Sequence, residues 1–452
     1  MPLSTRSHAA SIKQPNRWQR WLKLSYFAVP MVLSNMTTPM LSLFDLAILG
    51  HLPLTETVGG VALGAMLFSF LMMLCQFLRV STSVFVAQAT CPERQLDFLA
   101  QGALLACAFS VMVLLGKAWL FDLAIAFTNT SSAFIDVASV YFSTRIWAAP
   151  AVLMNFVVLG FLLGYKKPKQ VLLQVSVVNI TNMVLDIVFI WYLDWGVLGA
   201  AWASIIAELI GLILGLGLLI RLIERELWQS LCFKINVIYL RQALVLNRDI
   251  VLRTLCLQGV LAFMTLQATN YGDAVVAANA ILLNLFLFIS YVQDGFAYAV
   301  EVEVAQRIGR QQAHTIKPMV VDVFYLMLIV ALGLSFILWC LQTVITEGMT
   351  SIVVVQETLT RHYAWIVWLP ITSCLCFLMD GVFIGAALGK AMKYTMLAAV
   401  LGSFLPVWYV FQDLENHSLW LAWHAFLLVR GGGLLVCFIR QKYLAQAQPI
   451  YA

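Results

Sequence analysis

Long apolar runs separated by short polar breaks fill this chain. Runs long enough to cross a bilayer, each needing about 20 residues, fall near 24–50, 58–90, 97–126, 133–164, 168–193, 196–220, 244–270, 273–308, 317–346, 352–388, 391–411 and 418–440. They are continuous, without the alternation of membrane β-strands, so they predict helices. The reading is an all-α integral membrane protein of 12 transmembrane helices. The second, eighth and tenth runs exceed one bilayer thickness and are expected to tilt or protrude into water.

One stretch, 171–203, breaks the apolar pattern. Asn179, Asn182 and Asp186 lie inside it, three and four residues apart, so a helix places them on one face. A carboxylate in hydrocarbon costs about 2.5–3.5 kcal/mol. Asp186 is therefore expected to face a wet cavity or a partner. A structural contact between helices is the bland reading; a cation or proton site is the sharper one. Asp45 sits in the first span, which Leu46 to Leu49 continue; its bland reading is an interfacial acid. Asp45 and Asp186 are taken as the only strongly placed acids of the first half. If they approach one another, repulsion and desolvation favour uptake of a proton or a monovalent cation. Tyr141, Asn179, Asn182 and Ser204 are the neighbours able to share that network. Pro30, fifteen residues before Asp45, removes a backbone hydrogen bond and can bend the first helix.

Basic residues set the orientation. Arg17, Arg20, Lys23, Arg94, Lys166, Lys167, Lys169, Arg248, Arg307, Arg310, Lys390, Lys393 and Arg440 all fall on one side, whereas the alternate loops carry Glu56, Asp194, Asp273, Glu347, Glu357, Asp413 and Glu415. Both termini are therefore expected in the cytoplasm. The units read as a tail 1–23, a first lobe 24–220, an amphipathic linker 221–243, a second lobe 244–440 and a tail 441–452. The two lobes resemble copies. Gly160-x-x-x-Gly164 recurs as Gly381-x-x-x-Gly385, and Trp202 recurs as Trp423, all at an offset of 221. Six spans per half makes the repeat parallel, a transporter signature.

Composition narrows the classes. Of 452 residues 62% are hydrophobic and 11% charged, far fewer charges than the roughly 25% of soluble proteins. The net charge of +5 comes from loops and gives no sign of nucleic-acid binding. The nine cysteines read as small core residues, and the six histidines as scattered at loops and span ends. No metal-ligand spacing, P-loop or nucleotide fingerprint occurs. No enzyme constellation, cofactor or resident metal is expected, beyond H+ or Na+ as coupling ion, with Na+ at Asp45, Asn182 and Asp186. The second half holds Asp294, Glu301 and Asp380. Arg79, Arg145 and Arg430 are read as the membrane cations, and buried ion pairs are favoured for those three acids, with Arg79 and Asp294 a plausible pair. Seventeen Met and 28 Phe suit a cavity for lipophilic compounds of varied shape.

These residues resemble the multidrug and toxic compound extrusion (MATE) family, its DinF-like branch most closely, from about Leu24 to Arg440. The motifs are Pro30 with Asp45-x-Ala-x-Leu-Gly-His, Tyr141-x-x-x-Arg145 with Pro150, Asn182-x-x-x-Asp186, Asn247-Arg248-Asp249-Ile250 with Arg253-Thr254, Asp294-Gly-Phe-Ala-x-Ala-x-Glu301 and Asp380-Gly-x-x-x-Gly385. The resemblance implies two pseudo-symmetric six-helix lobes about a central cleft. It implies export of amphipathic, often cationic drugs or toxic compounds in exchange for H+ or Na+, by a monomer in the cytoplasmic (inner) membrane, with membrane lipid as its other partner. It places the cation network on Asp45, Tyr141, Asn182, Asp186 and Ser204, and a bend at Pro30. One departure stands out: Tyr363-Ala-Trp365 offers no match to Arg145. The competing readings are a lipid-linked oligosaccharide flippase of the wider superfamily, and a membrane receptor or transferase.

Overall fold

The computed structural model describes residues 16–49, 55–126, 132–229 and 237–440; for 42–49, 55–58, 124, 133, 238 and 239 it describes the backbone alone. Twelve helical segments follow one another. They are α1 (Arg17–Leu49), α2 (Gly59–Gln88), α3 (Pro92–Leu115), α4 (Phe134–Gly164), α5 (Pro168–Tyr192) and α6 (Gly196–Leu222). The second half supplies α7 (Leu240–Tyr271), α8 (Asp273–Gly309), α9 (Ala313–Cys340), α10 (Val353–Gly385), α11 (Gly389–Val410) and α12 (Asn416–Ile439). Each of the eleven from α2 to α12 is apolar enough to cross a membrane. α1 carries Ser34, Asn35, Thr37 and Thr38 in its middle, and three of these line a cavity.

The halves pack by one plan. In the first, α2 packs on α4, α3 on α4, α4 on α6, α5 on α6 and α1 on α5. Adding six to each label gives contacts that also occur: α8 on α10, α9 on α10, α10 on α12, α11 on α12 and α7 on α11. The glycine pairs explain the central contact. A Cβ on Gly160 or Gly381 would meet the carbonyl oxygen of Arg79 or Ala297 at 2.5 Å, and Gly164 and Gly385 stand equally close to the carbonyls of Ser83 and Glu301. Only glycine lets the backbones approach so nearly. Gly381→Ala is expected to cost about 1–3 kcal/mol, the range for overpacking, read as a lower unfolding midpoint in detergent. The copies are not identical: Trp423 is fully buried, whereas the matching Trp202 is 46% exposed.

The lobes meet where α1 and α2 pack on α8 and where α2 packs on α7. Polar joins run along this seam. Arg79 Nη2 donates to Tyr298 Oη at 3.0 Å, Ser83 Oγ to Glu301 Oε1 at 2.8 Å, and Gln88 Nε2 to the Gly385 carbonyl at 3.1 Å. At the basic-loop end Lys166 pairs with Glu303 at 2.6 Å. Burial pushes the Lys166 ammonium pKa down against the pull of Glu303, and a pair that water still reaches is worth about 0.2–1 kcal/mol. It does tie the α4–α5 turn to α8. Glu303→Gln is expected to release about 0.2–1 kcal/mol of closure, at most about a fivefold population shift, seen as wider spin-label distances between those ends.

Several spans are interrupted. Gln76 is a turn inside α2; a 3-10 turn at Ile146–Ala148 precedes Pro150 in α4; and α5 passes from α-helix to π-helix at Ile187–Tyr192, directly after Asp186. Single π turns in α-helices gather at functional sites. α1 continues through Pro30 and Pro39. Among its described residues the linker holds one short helix, Arg225–Gln229, and α7 starts earlier than the predicted 244.

Candidate functional site

A cavity of about 660 Å³ opens within the first lobe, walled by α1, α2, α4, α5 and α6 and closed on one side by Tyr298 of α8. Such a volume holds a drug-sized molecule. Its apolar wall includes Met31, Met72, Met73, Phe68 and Phe156, which names the methionines and aromatics that sequence could not single out. Flexible thioethers adapt to ligands of different shape.

The polar wall carries the predicted network. Asp186 is 4% exposed and accepts a hydrogen bond from Asn182 Nδ2 at 2.9 Å. Ser204 Oγ on α6 donates to Asn182 Oδ1 at 3.3 Å, so one amide bridges α5 and α6. Asn179 Nδ2 donates to Thr37 Oγ1 on α1 at 2.7 Å. Tyr141, Asn179, Asn182, Asp186 and Ser204 all line the cavity. The three-and-four spacing on α5 produces this: one helix face turns to the cavity while Ile180 and Val184 of the same helix are exposed. The side chain of Asp45 lies outside the described residues; its backbone belongs to α1, which packs along α5.

Four expectations need correcting. First, Asp45 and Asp186 are not the only acids of the first lobe's membrane region. Glu208 on α6 also lines the cavity and accepts from Asn155 Nδ2 at 2.8 Å. A lone acid within Ile205–Leu209 was the available signal; its amide partner is 53 residues away, so no local spacing drew attention to it. Second, the membrane cations include Arg253. Arg253 Nη2 lies 2.6 Å from Asp380 Oδ2, and Arg430 donates to the same oxygen. Third, Arg79 pairs not with Asp294 but with Tyr298, its guanidinium 4.5 Å from the ring centroid. Ion pairing therefore holds for Asp380, while Glu301 takes a serine and Asp294 enters none of the described ion pairs. Fourth, the histidines are not all scattered. The His362 and His417 rings lie 4.3 Å apart, tilted by 32°, and His424 and His417 both bond to Trp365, because α10 and α12 pack together.

Asp380 thus differs in kind from Asp186. Asp380 is held by two guanidinium groups, an arrangement that leaves no net negative charge for a further cation. Asp186 accepts from the amide of Asn182 on the wall of a cavity. Among the described residues no cluster of three or more His, Cys, Asp or Glu has metal-holding geometry.

Known proteins agree with this architecture. The MatE family model matches residues 30–188 and 250–410, one block in each half. The "DNA damage-inducible protein F" of Escherichia coli K12 is 36% identical over 92% of both chains. "Protein DETOXIFICATION 44, chloroplastic" of Arabidopsis thaliana is 24% identical over 83% of this chain and 74% of its own. Among solved structures, an outward-facing multidrug resistance MATE family transporter of the MOP superfamily superposes with a TM-score of 0.86 at 17% identity, covering 94% of this chain and 97% of that one. A Pyrococcus furiosus MOP superfamily transporter, described by the reverse polarity of its binding pocket, gives 0.84 at 18%, with the same coverages. The chain is a multi-pass membrane protein, a transporter and not an enzyme, and it belongs to the MATE family.

Proposed function

We propose that this chain is a secondary-active antiporter of the cytoplasmic membrane. It exports amphipathic, often cationic compounds in exchange for H+ or Na+, with both termini in the cytoplasm. The observation that carries the reading is the position of Asp186: buried, held by Asn182, and on the wall of a drug-sized cavity. Tyr141, Asn179 and Ser204 complete the network, with Asp45 on α1 as its second acid. In this reading a cation from outside neutralises the network and changes how α1 packs on α5, with Pro30 as the place where α1 bends. The repacked lobe then loses its grip on the substrate. A coupling ion entering down a tenfold concentration step supplies about 1.4 kcal/mol, enough to sustain about a tenfold substrate ratio even when the exported cation cancels the charge moved. Alternating access moves the lobes about the seam of α1, α2, α7 and α8.

The described charges of the cavity balance: Asp186 and Glu208 against Arg79 and Arg145. That suits an organic cation or a zwitterion better than a polyanionic lipid phosphate, which favours drug export over the flippase reading. Everted vesicles containing the protein test the proposal, with ethidium uptake driven separately by a pH step and by a Na+ step. Uptake under either step supports antiport and names the ion; no uptake under both contradicts it.

A further inference from the structure

We propose that Glu208 is a second proton-coupling carboxylate of the first-lobe cavity, so that two protons are exchanged in each cycle. This rests on the antiport reading above and extends it.

Glu208 lies four residues after Ser204 on α6, so both occupy one face of that helix. On α5, Gln174, Val178, Asn182 and Asp186 recur every four residues and likewise share a face. The two faces meet, because α5 packs on α6. Asp186 and Glu208 therefore stand along one seam of one cavity. Glu208 has a built setting. Asn155 Nδ2 donates both to its Oε2 at 2.8 Å and to its backbone carbonyl at 3.0 Å. Gln174 Nε2 in turn donates to Asn155 Oδ1 at 3.0 Å. Three helices thus fix one carboxylate. The neighbouring glycine makes room for this: a Cβ on Gly215 would meet Gln174 Nε2 at 2.6 Å.

The setting is not filled by the protein alone. Gln174 is 1% exposed, yet its Oε1 is a buried acceptor with no partner, and Arg145 Nη1 is a buried donor with none. Both side chains line the cavity. Unmet buried polar atoms are costly and call for a guest, whether water, an ion or a substrate group. Glu208 takes part in none of the described ion pairs. The titratable and charged groups facing it are Asp186 from α5, Tyr141 and Arg145 from α4, and, across the cavity, Arg79 and Tyr298. With Asp186 and Glu208 ionised, the described charges of the cavity cancel. Each proton bound adds a positive charge to a space that must also hold an organic cation, so protonating Glu208 weakens the hold on that cation just as protonating Asp186 does. A purely structural contact would leave Glu208 in one charge state throughout.

The test uses the purified full chain in sodium-free buffer. Protons released on binding ethidium are counted with an indicator dye, and pH-step infrared difference spectra follow the protonated carboxyl band. The unsubstituted protein is expected to release two protons per ethidium; E208Q releases one, and E208D restores two. In the infrared, E208Q removes a carboxyl component distinct from the one lost in D186N. One proton from the unsubstituted protein, or two from E208Q, overturns the proposal. So does an unchanged carboxyl band in E208Q. Should E208Q not fold, the infrared spectrum of E208D decides: a carboxyl component shifted in E208D but not in D186N supports the proposal, and none shifted overturns it. If no gradient drives ethidium, the antiport reading fails by itself, and the infrared arm still decides the role of Glu208.

Discussion

Asp380→Ala is expected to destabilise the protein by about 3–5 kcal/mol, the range for removing one partner of a buried ion pair. One carboxylate oxygen of Asp380 accepts from both Arg253 and Arg430. The Asp380 and Arg430 side chains are only 6% and 5% exposed, and Arg253 is 17% exposed. The substitution leaves two guanidinium groups among α7, α10 and α12 without a counter-charge, where neither lipid nor apolar side chains solvate them. The unfolding midpoint in detergent should fall accordingly. Adding Arg430→Met to Asp380→Ala should recover part of the loss, because the stranded charge is then gone. An Asp380→Ala protein with the parental midpoint would show that these arginines find other partners. The same triad explains why transport coupling is assigned to the first lobe. A carboxylate clamped by two permanent cations has little to gain from a third.

Much of this arrangement was legible in sequence, and the reasons are local. The spacing of Asn179, Asn182 and Asp186 fixes a helix face whatever surrounds it, and that face does line the cavity. The offset of 221 between Gly160 and Gly381 signals a repeated close contact, and both glycines meet a backbone carbonyl at the same distance. The roles that were not legible depend on partners remote in the chain. Glu208 owes its setting to Asn155 and Gln174 on two other helices. Arg253 owes its burial to Asp380, 127 residues on. His362 and His417 meet only because α10 and α12 pack. A single charge inside an apolar run was the signal in the first two cases, and it deserved the functional weight given to Asp186. The break at Gln76 has no proline or glycine beside it, and nothing in the neighbouring residues explains it.

Asp186→Asn carries the largest expected functional effect. The amide keeps nearly the same shape and can still accept from Asn182 Nδ2, so the α5–α6 seam and the protein's presence in the membrane should be retained. It cannot bind and release a proton, nor offer a full negative charge to Na+. Gradient-driven transport should fall to the level of vesicles lacking the protein. By contrast, exchange of ethidium down its own gradient, which needs the cavity and the lobe motion but no coupling ion, should persist in part.

Ethidium uptake into everted vesicles, with parent and Asp186→Asn protein matched for abundance, measures the coupling directly. The parent should accumulate ethidium when the pH or Na+ step is applied and lose it when the step is collapsed, while Asp186→Asn shows no step-dependent accumulation. Accumulation by Asp186→Asn at the parental rate and extent would contradict the account, and the coupling carboxylate would have to be sought elsewhere in the bundle.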